Sequence, residues 1–377
     1  MTTEVPMRIA VINRIFSRAA GGAESYSVAL VQQFASRHEV HVFAQESNQP
    51  VDGVHYHRVF CLSKKPRWIN QMLFAVATWW RTRSGFDVVH SHENTWHGQV
   101  QTVHVRPLRF NLFHGRTGLG LLLRWCKVVL SLRLITYVWL EGARFKHSAS
   151  RRVVATSQSL RTECEQAYPD SAVSVITPGT HSPGESLSRQ VARQRLGLPQ
   201  QGQLVLFVAN DYARKGLDAL LQAMTRLPAE VGLVVVGNSK PILRYRQMAA
   251  QLGLQGRVHF IGSLNDLSPA YWAADCLAHP TLEDTFAMVV LEAMAHGLPV
   301  VVSGAAYCGI SSQLVHATHA LLLRDPKDPQ TLAESIHGVL THAELAKALQ
   351  ANGQKFALTH SWEEAALQYE KLYFQVA

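Results

Sequence analysis

The sequence predicts an α/β protein with two doubly wound domains, each built on a parallel sheet. Short β-branched runs alternate with helical segments along most of the chain, which is the pattern of βαβ units. The length of 377 residues is sufficient for two or three domains. Residues 177–188 concentrate Pro, Gly and Ser without periodicity, as interdomain linkers do. We therefore expect an N-terminal domain over residues 1–182 and a C-terminal domain over residues 183–360.

The periodicity of apolar residues places the individual elements. In the N-terminal domain it predicts strands at Arg8–Ile12, Glu39–Phe43, Val54–Val59, Asp87–His90, Thr102–Val105, Arg152–Ala155 and Val173–Thr177, and helices at Ala23–Ala35, Ile69–Arg83, Leu119–Phe145 (one helix, or two with a break) and Gln158–Tyr168. In the C-terminal domain it predicts strands at Leu204–Val208, Leu233–Val236, Val258–Ile261, Cys276–His279 and Val300–Val302, and helices at Gly216–Leu227, Arg244–Leu252, Leu267–Ala274 and Phe286–Ala295. A final helix over residues 361–377 is expected to return to the N-terminal domain. Ligands of such sheets bind at the carboxyl ends of the strands, so the expected site is the cleft between the domains.

The net charge of +9 is concentrated in one part of the chain, residues 60–152, here called the basic segment. It holds 15 Lys and Arg against 3 Asp and Glu. Such a segment attracts anions, including phospholipid headgroups, phosphorylated glycolipids and nucleic acid, although an idle basic surface is an alternative. Neither an aromatic stacking platform nor a nucleic-acid motif accompanies the charges, so we do not expect a nucleic-acid partner.

The cysteines and the chain start indicate the compartment. Five cysteines lie far apart without a CxxC pair, which predicts neither a disulfide framework nor a zinc site. The N-terminus lacks the regions of an export signal. The most hydrophobic stretch, Leu119–Leu140, contains Arg124, Lys127 and Arg133, each costing about 2.5–3.5 kcal/mol near a bilayer centre. We therefore expect a cytoplasmic protein without a membrane-spanning segment.

The same stretch carries a polar stripe formed by Arg116, Gly120, Arg124, Lys127 and Ser131 on a helix otherwise rich in Leu, Val and Trp. Such a helix can lie in a membrane interface with its cations at headgroup level. A helix buried on the sheet of the N-terminal domain is the alternative. Together with the rest of the basic segment, the stripe favours peripheral binding to an anionic membrane surface, on the inner face of the cytoplasmic membrane.

Two glycine- or cation-containing loops follow predicted strands and suit phosphate groups. Residues 20–24, AGGAE, open a helix, and paired glycines with free helix N–H groups can approach a phosphate closely. A tight turn that needs only glycine is the alternative. Residues 210–216, NDYARKG, carry the adjacent cations Arg214 and Lys215, which suit a diphosphate. A solvated charge pair is the alternative there.

A third motif, residues 280–295, places two carboxylates around a helix start. Asp284 is expected to cap the helix that follows it. Glu292 lies two turns further on among apolar residues, where an unpaired carboxylate is costly, and a ribose diol is a suitable partner. An N-cap with a salt bridge at the edge of the core is the structural alternative.

The chain contains, in this order, the motifs GGAE, DVVHSH, ARKG, EDTFAMVVLEAMAHGLPVVVS and SWEEAALQYEKLY. This series of motifs resembles the retaining glycosyltransferases of glycosyltransferase family 4. The pattern looks closest to lipopolysaccharide core glucosyltransferases of the WaaG type. The resemblance implies a GT-B fold, in which two Rossmann-like domains face each other across a cleft. It also implies a nucleotide diphosphate sugar donor, with a UDP-sugar expected, and transfer of a hexose, expected to be glucose, to a lipid-linked glycan such as lipopolysaccharide core.

The resemblance also assigns site residues. The family's E-x7-E motif falls on Asp284 and Glu292, which leaves open whether Glu283 or Asp284 faces the donor sugar. Glu292 would bind the ribose, and His92 would lie near the sugar hydroxyls while His90 packs. The expected catalytic residues are His92, Arg214, Lys215 and Asp284, and the expected donor-binding residues are Gly21, Gly22, Ser263, Glu283, Thr285, Phe286, Ala287 and Glu292.

Metal chemistry is not expected at this site. The chain contains no DxD motif to hold a divalent cation on a diphosphate, so cationic side chains and helix dipoles would stabilise the leaving group, without a cofactor. The HxH pair His90 and His92 lacks a third ligand in evidence. Two alternative functions remain open: a nucleotide-sugar epimerase or hydrolase of the same fold, and a nonenzymatic anion- or membrane-binding protein.

Overall fold

The structure is a computed structural model that describes residues 5–17, 21–48, 50–237 and 240–377. The chain forms two compact units. The first contains Met1–Pro178 together with Trp362–Ala377, and the second contains Gly179–Ser361. The division thus falls between Pro178 and Gly179, four residues before the boundary expected from the sequence.

The first unit is built on a seven-stranded parallel sheet. The strands of the whole unit are β1 (Arg8–Ile12), β2 (Ile15–Phe16), β3 (Glu39–Ala44), β4 (Glu46–Ser47), β5 (Val54–Arg58), β6 (Val88–Ser91), β7 (Val100–Val103), β8 (Arg152–Ala155) and β9 (Val173–Val175). Its helices are α1 (Gly22–Phe34), α2 (Arg67–Thr82), α3 (Leu108–Phe113), α4 (Gly118–Val129), α5 (Leu132–Phe145) and α6 (Gln158–Ala167). The sheet order is β5-β3-β1-β6-β7-β8-β9, while β2 and β4 pair separately. The reversal of order at β1 and β6 is that of a doubly wound domain.

The second unit repeats this architecture on a six-stranded parallel sheet. Its helices are α7 (Arg189–Arg195), α8 (Leu217–Met224), α9 (Ile242–Gln251), α10 (Ser268–Ala273), α11 (Met288–Ala295), α12 (Pro329–Thr341) and α13 (Ala343–Leu358). Its strands are β10 (Gln203–Val208), β11 (Val231–Val236), β12 (Val258–Gly262), β13 (Cys276–His279), β14 (Val300–Ser303) and β15 (Leu321–Leu323), in the order β12-β11-β10-β13-β14-β15. Two apolar cores, one on each face, bury the central strands completely, which explains their continuous Val and Leu runs.

The last helix, α14 (Trp362–Val376), belongs to the first unit, where it packs against α1. It inserts tyrosines into a polar network rather than a purely apolar core. The hydroxyl of Tyr369 lies 2.9 Å from that of Tyr26 and 2.7 Å from Oγ1 of Thr102, and the hydroxyl of Tyr373 lies 2.6 Å from Nδ1 of His90. These side chains are buried, so each polar atom needs such a partner.

Several elements differ from the sequence predictions. The segment 119–145, for which the sequence left one helix or two open, is two helices, because the Ser131 side chain accepts a hydrogen bond from the backbone of Leu134 and starts α5. The strand expected at Thr102–Val105 lies two residues earlier, at Val100–Val103. Helices α3, α7, α12 and α13 and strand β15 were not predicted, although Asp328 followed by Pro329 is a recognisable start of α12.

The helices of the basic segment expose apolar side chains. In α4 the buried side chain is Val128, which packs with Leu112 and Leu134 in a small cluster of its own, so α4 is not buried on the sheet. The exposed side chains on these helices are Ile69, Leu73, Val76, Trp79 and Trp80 of α2, Leu119, Leu122, Leu123, Trp125 and Val129 of α4, and Leu132, Ile135 and Trp139 of α5. Within the part of the chain that the structure describes, no helix has both the length and the apolar character needed to span a bilayer.

Candidate functional site

The chemistry-bearing residues of the second unit lie on loops at the carboxyl edge of its sheet. Two glycines hold these loops close together. A Cβ at Gly216, whose φ is 81°, would lie 1.9 Å from the carbonyl oxygen of Pro280, and a Cβ at Gly237, whose φ is 118°, would lie 1.9 Å from that of Ala209. Both positions therefore require glycine. The close approach at Gly216 presses the loop after β10 against the loop after β13.

These two loops bring Lys215 and Asp284 together. The Lys215 ammonium donates to Oδ2 of Asp284 and, over 3.1 Å, to the carbonyl oxygen of Glu283. Nε2 of His279, the last residue of β13, donates to the same Asp284 oxygen over 3.1 Å. The side chains of Lys215 and Asp284 are each 15% exposed, so the pair is largely shielded but reachable from solvent.

The surroundings keep Asp284 ionised. Burial would raise the pKa of this carboxyl, but the hydrogen bond from His279 and the charge of Lys215 outweigh burial and hold the pKa well below its usual range. Burial lowers the pKa of His279, so its ring is neutral near pH 7. Nδ1 of this buried ring has no hydrogen-bond partner among the described residues. The arrangement is a fixed carboxylate held by one cation and one neutral imidazole.

Arg214 lies beside Lys215 but in a different environment. Its side chain is 53% exposed, and its Nε lies 3.5 Å from Oδ2 of Asp211. An exposed pair of this kind contributes little to stability. The guanidinium is therefore available to an anionic ligand at the same edge of the sheet as Lys215.

Asp284 does not cap the helix that follows it, contrary to the sequence prediction. Its Oδ1 accepts from the backbone N–H of Phe286 over 3.3 Å, which closes a local turn. The N-cap of α11 is Ala287, whose φ of 76° is rare for a residue with a Cβ. Because the chain continues through Thr285, Phe286 and Ala287 before the helix begins, the free N–H groups of α11 lie beyond the Asp284 turn.

Glu292 lies in α11 as predicted, but it already has a protein partner. The Tyr271 hydroxyl of α10 donates to Oε2 of Glu292 over 2.7 Å. Burial raises the pKa of Glu292, while this hydrogen bond opposes the shift. The side chain is partly exposed, so one carboxylate oxygen is oriented by Tyr271 and the group can still meet a ligand. Ser263, another expected donor-binding residue, is exposed directly after β12.

The first unit carries the remaining candidates at the carboxyl ends of β1 and β6. Gly21 is the N-cap residue of α1, and Gly22 begins the helix. Among the described residues, a Cβ at Gly22 would meet nothing within 4 Å. Ala20, the first residue of the AGGAE motif, lies outside the described residues.

His92 follows β6 and is buried, and its backbone N–H donates to the carbonyl oxygen of Ile12 over 2.9 Å. Its Nδ1 lies 2.9 Å from Nε2 of His104, and the two rings stack. Its Nε2 has no partner among the described residues. Burial lowers the pKa of both rings, to about 3 for His104, so both are neutral near pH 7.

His90 differs from His92, because both of its ring nitrogens are engaged. Nδ1 lies 2.6 Å from the Tyr373 hydroxyl, and Nε2 lies 2.7 Å from Oγ1 of Thr102. These bonds leave no nitrogen of His90 for a metal ion shared with His92.

Sequence reasoning missed three side chains that contact the candidate residues: His279 and Tyr271 in the second unit and His104 in the first. His279 and His104 stand at or just beyond the ends of strands β13 and β7, which is a usable signal because ligands meet parallel sheets there. Tyr271 carries no such signal, since its role depends on α10 packing beside α11. Within each unit the structure therefore brings together most of the expected residues: Arg214, Lys215, Glu283 and Asp284 in the second, and Gly21, Gly22 and His92 at one sheet edge in the first.

Both units match known protein-family models. Residues 20–182 match the model described as Glycosyltransferase Family 4, and residues 188–356 match the model described as Glycosyl transferases group 1. Lipopolysaccharide glucosyltransferase WaaG of Escherichia coli K12 is 30% identical over 241 residues, which is 61% of this chain and 64% of WaaG. An uncharacterized glycosyltransferase of Methanocaldococcus jannaschii is 26% identical over 97% of this chain and 98% of its own length.

The aligned part of the chain spans less than two thirds of WaaG and 58% of a D-inositol 3-phosphate glycosyltransferase of Xylanimonas cellulosilytica, which is 30% identical over 60% of this chain. Among solved structures, crystalline WaaG superimposes with a TM-score of 0.83 at 23% identity, over 97% of this chain and 99% of WaaG. Anabaena HepE in complex with UDP-glucose superimposes with a TM-score of 0.76 at 20% identity, over 97% and 98% of the two chains. The two parallel-sheet domains and the two family matches place the chain among the GT-B glycosyltransferases, with a Family 4 domain followed by a group 1 domain.

Proposed function

We propose that the protein is a retaining glycosyltransferase that transfers a hexose, with glucose favoured, from a nucleotide diphosphate sugar to a lipid-linked glycan such as lipopolysaccharide core. The observation that carries the proposal is the Lys215–Asp284 pair beside the exposed Arg214, at the sheet edge where nucleotides bind in doubly wound domains. The likeness to WaaG supports glucose and lipopolysaccharide core. The HepE complex, which holds UDP-glucose on the same fold, supports a UDP-sugar donor.

The donor diphosphate would lie against Arg214, Lys215 and the start of α11. An ammonium has three N–H donors, and in the described structure two of those of Lys215 are taken by Asp284 and Glu283. The third suits a phosphate oxygen. As the glycosidic bond to the donor breaks, charge accumulates on the leaving phosphate, and preorganised cations stabilise that transition state more than the ground state. Cations in these positions make a metal ion unnecessary, so we propose metal-independent transfer.

The remaining site residues would orient the donor. Glu292, held by Tyr271, would accept hydrogen bonds from the ribose hydroxyls. The carboxylate of Asp284 would bind hydroxyls of the sugar. In the first unit, His92 would contact a ligand hydroxyl through Nε2, which has no partner among the described residues. Since none of the candidate residues that the structure describes is placed as an evident nucleophile, retention would follow from attack of the acceptor hydroxyl on the face that the phosphate leaves, with its proton passing to the phosphate.

The acceptor side would involve the membrane. The basic segment combines 15 cations with exposed leucines and tryptophans on α2, α4 and α5, which is the composition of a surface that inserts between anionic headgroups. We propose peripheral binding to the inner face of the cytoplasmic membrane, where a lipid-linked acceptor is available.

Product analysis tests the function directly. The protein is incubated with UDP-glucose, UDP-galactose and ADP- and GDP-glucose, with and without a lipid-linked oligosaccharide acceptor, in buffer containing EDTA. We expect a glycosylated acceptor with retained anomeric configuration and one nucleoside diphosphate per transfer. Free sugar without acceptor would show a hydrolase, and a changed sugar on the intact donor would show an epimerase. Absence of turnover and of nucleotide binding would show a nonenzymatic protein, and each of these outcomes overturns the proposal.

A further inference from the structure

Strands β3 and β5 carry a group of titratable side chains outside the site described above. Glu39, His41, His55 and His57, here called the edge histidine cluster, project from one face of the sheet, where β5 is the edge strand. His41 and His55 are register partners, and Glu39 precedes His41 by two residues on the same face. The cluster lies beside the first half of β1, because Glu39 pairs with Arg8 and His41 with Ala10, whereas the candidate residues of the first unit follow the carboxyl ends of the strands.

Hydrogen bonds and ring stacking orient the cluster. Nε2 of His41 lies 2.8 Å from Oε1 of Glu39, and Nδ1 of His41 lies 2.8 Å from Nε2 of His57. A carboxylate accepts, so Nε2 of His41 carries the proton and Nδ1 accepts from His57. The His41 ring stacks on both His55 and His57, and His57 stacks on Phe43.

We propose that the edge histidine cluster binds a divalent transition-metal ion, Zn²⁺ or a metal of similar preference, through Glu39, His41 and His55. One ligand atom of each lies within 4.8 Å of the others. Two imidazoles and a carboxylate are a ligand set that Zn²⁺ accepts in tetrahedral geometry, with a water molecule as the fourth ligand. Nothing in this inference rests on the proposed transferase activity.

The geometry needs small adjustments. Tetrahedral ligands at about 2.1 Å from zinc are about 3.4 Å apart, so the groups must move by roughly 1 Å. His55 is exposed and the Glu39 side chain is 48% exposed, which leaves both free to close around an ion, while His41 is buried and fixed.

His57 would act through His41. When the metal replaces the proton on Nε2, the neutral ring carries its proton on Nδ1 and donates to Nε2 of His57 instead. Such an outer hydrogen bond fixes the orientation and raises the basicity of a ligating imidazole. Binding therefore changes the tautomer of both neutral rings, with the proton of His57 on its own Nδ1, and reverses the hydrogen bond between them without releasing a proton from either ring.

Arg8 is the competing charge. Its Nε donates to Oε1 of Glu39 over 3.0 Å, and its Nη1 donates to the carbonyl oxygen of Gly85 over 3.0 Å. A carboxylate has two oxygens, so Glu39 can keep Arg8 on one and bind the ion through the other. The ion would tie β5 to β3 and stabilise the edge of the sheet.

Calorimetry with the metal alone tests the proposal. Full-length protein is stripped with EDTA, dialysed, and titrated with ZnCl₂ at pH 7.5. We expect one Zn²⁺ per chain and a rise in the thermal midpoint that EDTA reverses. Co²⁺ as a probe should give the strong visible absorption of four-coordinate cobalt. Absence of a stoichiometric site, or the weak spectrum of six-coordinate cobalt, would overturn the assignment.

Three variants locate the ion. His55→Ala removes an exposed ligand without disturbing the core and should weaken Zn²⁺ binding by more than tenfold, and His57→Ala should weaken it about 10- to 100-fold. His147→Ala, which removes an exposed histidine elsewhere in the first unit, is the matched control and should leave binding unchanged. If His55→Ala binds Zn²⁺ as tightly as His147→Ala does, the cluster is a hydrogen-bonded chain and not a metal site.

Discussion

Lys215 is the residue on which the phosphate assignment depends. It is held between Asp284 and the Glu283 carbonyl, so its ammonium is fixed before a donor arrives. Preorganised charge of this kind lowers the barrier without reorganisation during the reaction. Lys215→Ala should therefore lose about 10²–10³-fold in turnover with the fold retained, by the scale of removing one transition-state donor.

The matched control for this prediction is Lys347→Ala, since Lys347 is an exposed lysine of the same unit that pairs with Glu344. Turnover is measured by release of nucleoside diphosphate in the presence of acceptor, and folding by circular dichroism. Equal turnover in the two variants would contradict the role of Lys215.

Glu292 and Tyr271 form the second residue-scale test. If Glu292 binds the ribose, Glu292→Gln should weaken nucleoside diphosphate binding by about 1–3 kcal/mol, the scale of a lost hydrogen bond to a charged group. Tyr271→Phe keeps the carboxylate but removes the 2.7 Å bond that orients it, so a smaller loss is expected. Calorimetry with UDP measures both, and unchanged affinity in Glu292→Gln would rule out the ribose contact.

Helix α14 contacts elements of the first unit that are distant from it in sequence, and these contacts stabilise that unit. The Tyr369 hydroxyl meets both Tyr26 of α1 and Thr102 of β7, and Glu370 accepts from His38 at 3.0 Å and from Arg37 at 3.2 Å. These contacts join the end of the chain to its beginning. A helix that supplied apolar area alone would not depend on single hydroxyl groups.

Tyr369→Phe tests this role of α14. The variant keeps the ring and leaves the buried Thr102 hydroxyl with one partner fewer, so the free energy of unfolding should fall by about 1–3 kcal/mol. Phe374→Leu, a conservative change at a half-exposed position of the same helix, is the control. Urea unfolding at pH 7.5 compares the two variants. A loss no larger in Tyr369→Phe than in the control would contradict the importance of the hydroxyl network.

The strands were predicted well because buried parallel strands carry continuous apolar runs. Strands β1, β8 and β13 have the predicted bounds, and several others differ by one or two residues. Helices α12 and α13 were missed, and the start of α11 was placed two residues early. At α11 the reason is tertiary: Asp284 is held by Lys215 and His279, and this removes it from the capping role that its sequence position favours.

The candidate site residues could be predicted where residue type and position at the end of a strand both indicate ligand binding. Arg214 and Lys215 lie on the loop that follows β10, and their position after a predicted strand is what indicated a ligand site. The pairing of Lys215 with Asp284 could not be predicted from the sequence pattern. It requires the Pro280 carbonyl oxygen to lie so close to Gly216 that no Cβ would fit there. The edge histidine cluster was also missed, because it depends on the pairing and register of β3 with β5, which the periodicity of apolar residues does not specify.

The free energy of unfolding should fall in acid, because the folded protein buries several histidines in their neutral form. Burial lowers the pKa of His90 to about 3. Burial, together with a smaller effect of the Arg151 charge, lowers the pKa of His97 to about 4. In the unfolded chain a histidine titrates near 6.5, so below that pH the unfolded state binds protons that the folded state does not. Stability is therefore complete above about pH 7 and falls as the pH drops towards 4.

His97→Leu isolates one of these groups. Each buried histidine contributes about 1.4 kcal/mol per pH unit to the slope, so the variant should show a slope smaller by about that amount between pH 6.5 and 4. Urea unfolding at several pH values measures the slope, which a constant change in stability does not affect. The exposed His147→Ala is the control, and an unchanged slope in His97→Leu would contradict the depressed pKa.

The basic segment is the part of the molecule that we propose binds a membrane surface. Its charge alone would bind any anion, but the exposed leucines and tryptophans of α2, α4 and α5 add an apolar component that a dissolved anion cannot use. Each cation near an anionic bilayer contributes about 1 kcal/mol, and screening at physiological ionic strength limits its reach to roughly 8 Å. Binding to vesicles should therefore rise with anionic lipid content and fall with salt, and neutral vesicles should bind poorly.

Reversing the charge of Arg124 and Lys127 to Glu separates the membrane role from a structural one. Both lie on α4, which buries Val128 and little else, so the double variant should fold, detach from anionic vesicles and slow transfer to a lipid-linked acceptor. Nucleotide binding should persist, because Arg214 and Lys215 lie in the other unit. The same charge change at Lys347 and Lys355 of α13 is the matched control and should leave vesicle binding intact. Cosedimentation decides the question: wild-type protein that ignores anionic vesicles at low salt would refute membrane binding, and a double variant that loses thermal stability would show that the two cations serve the fold instead.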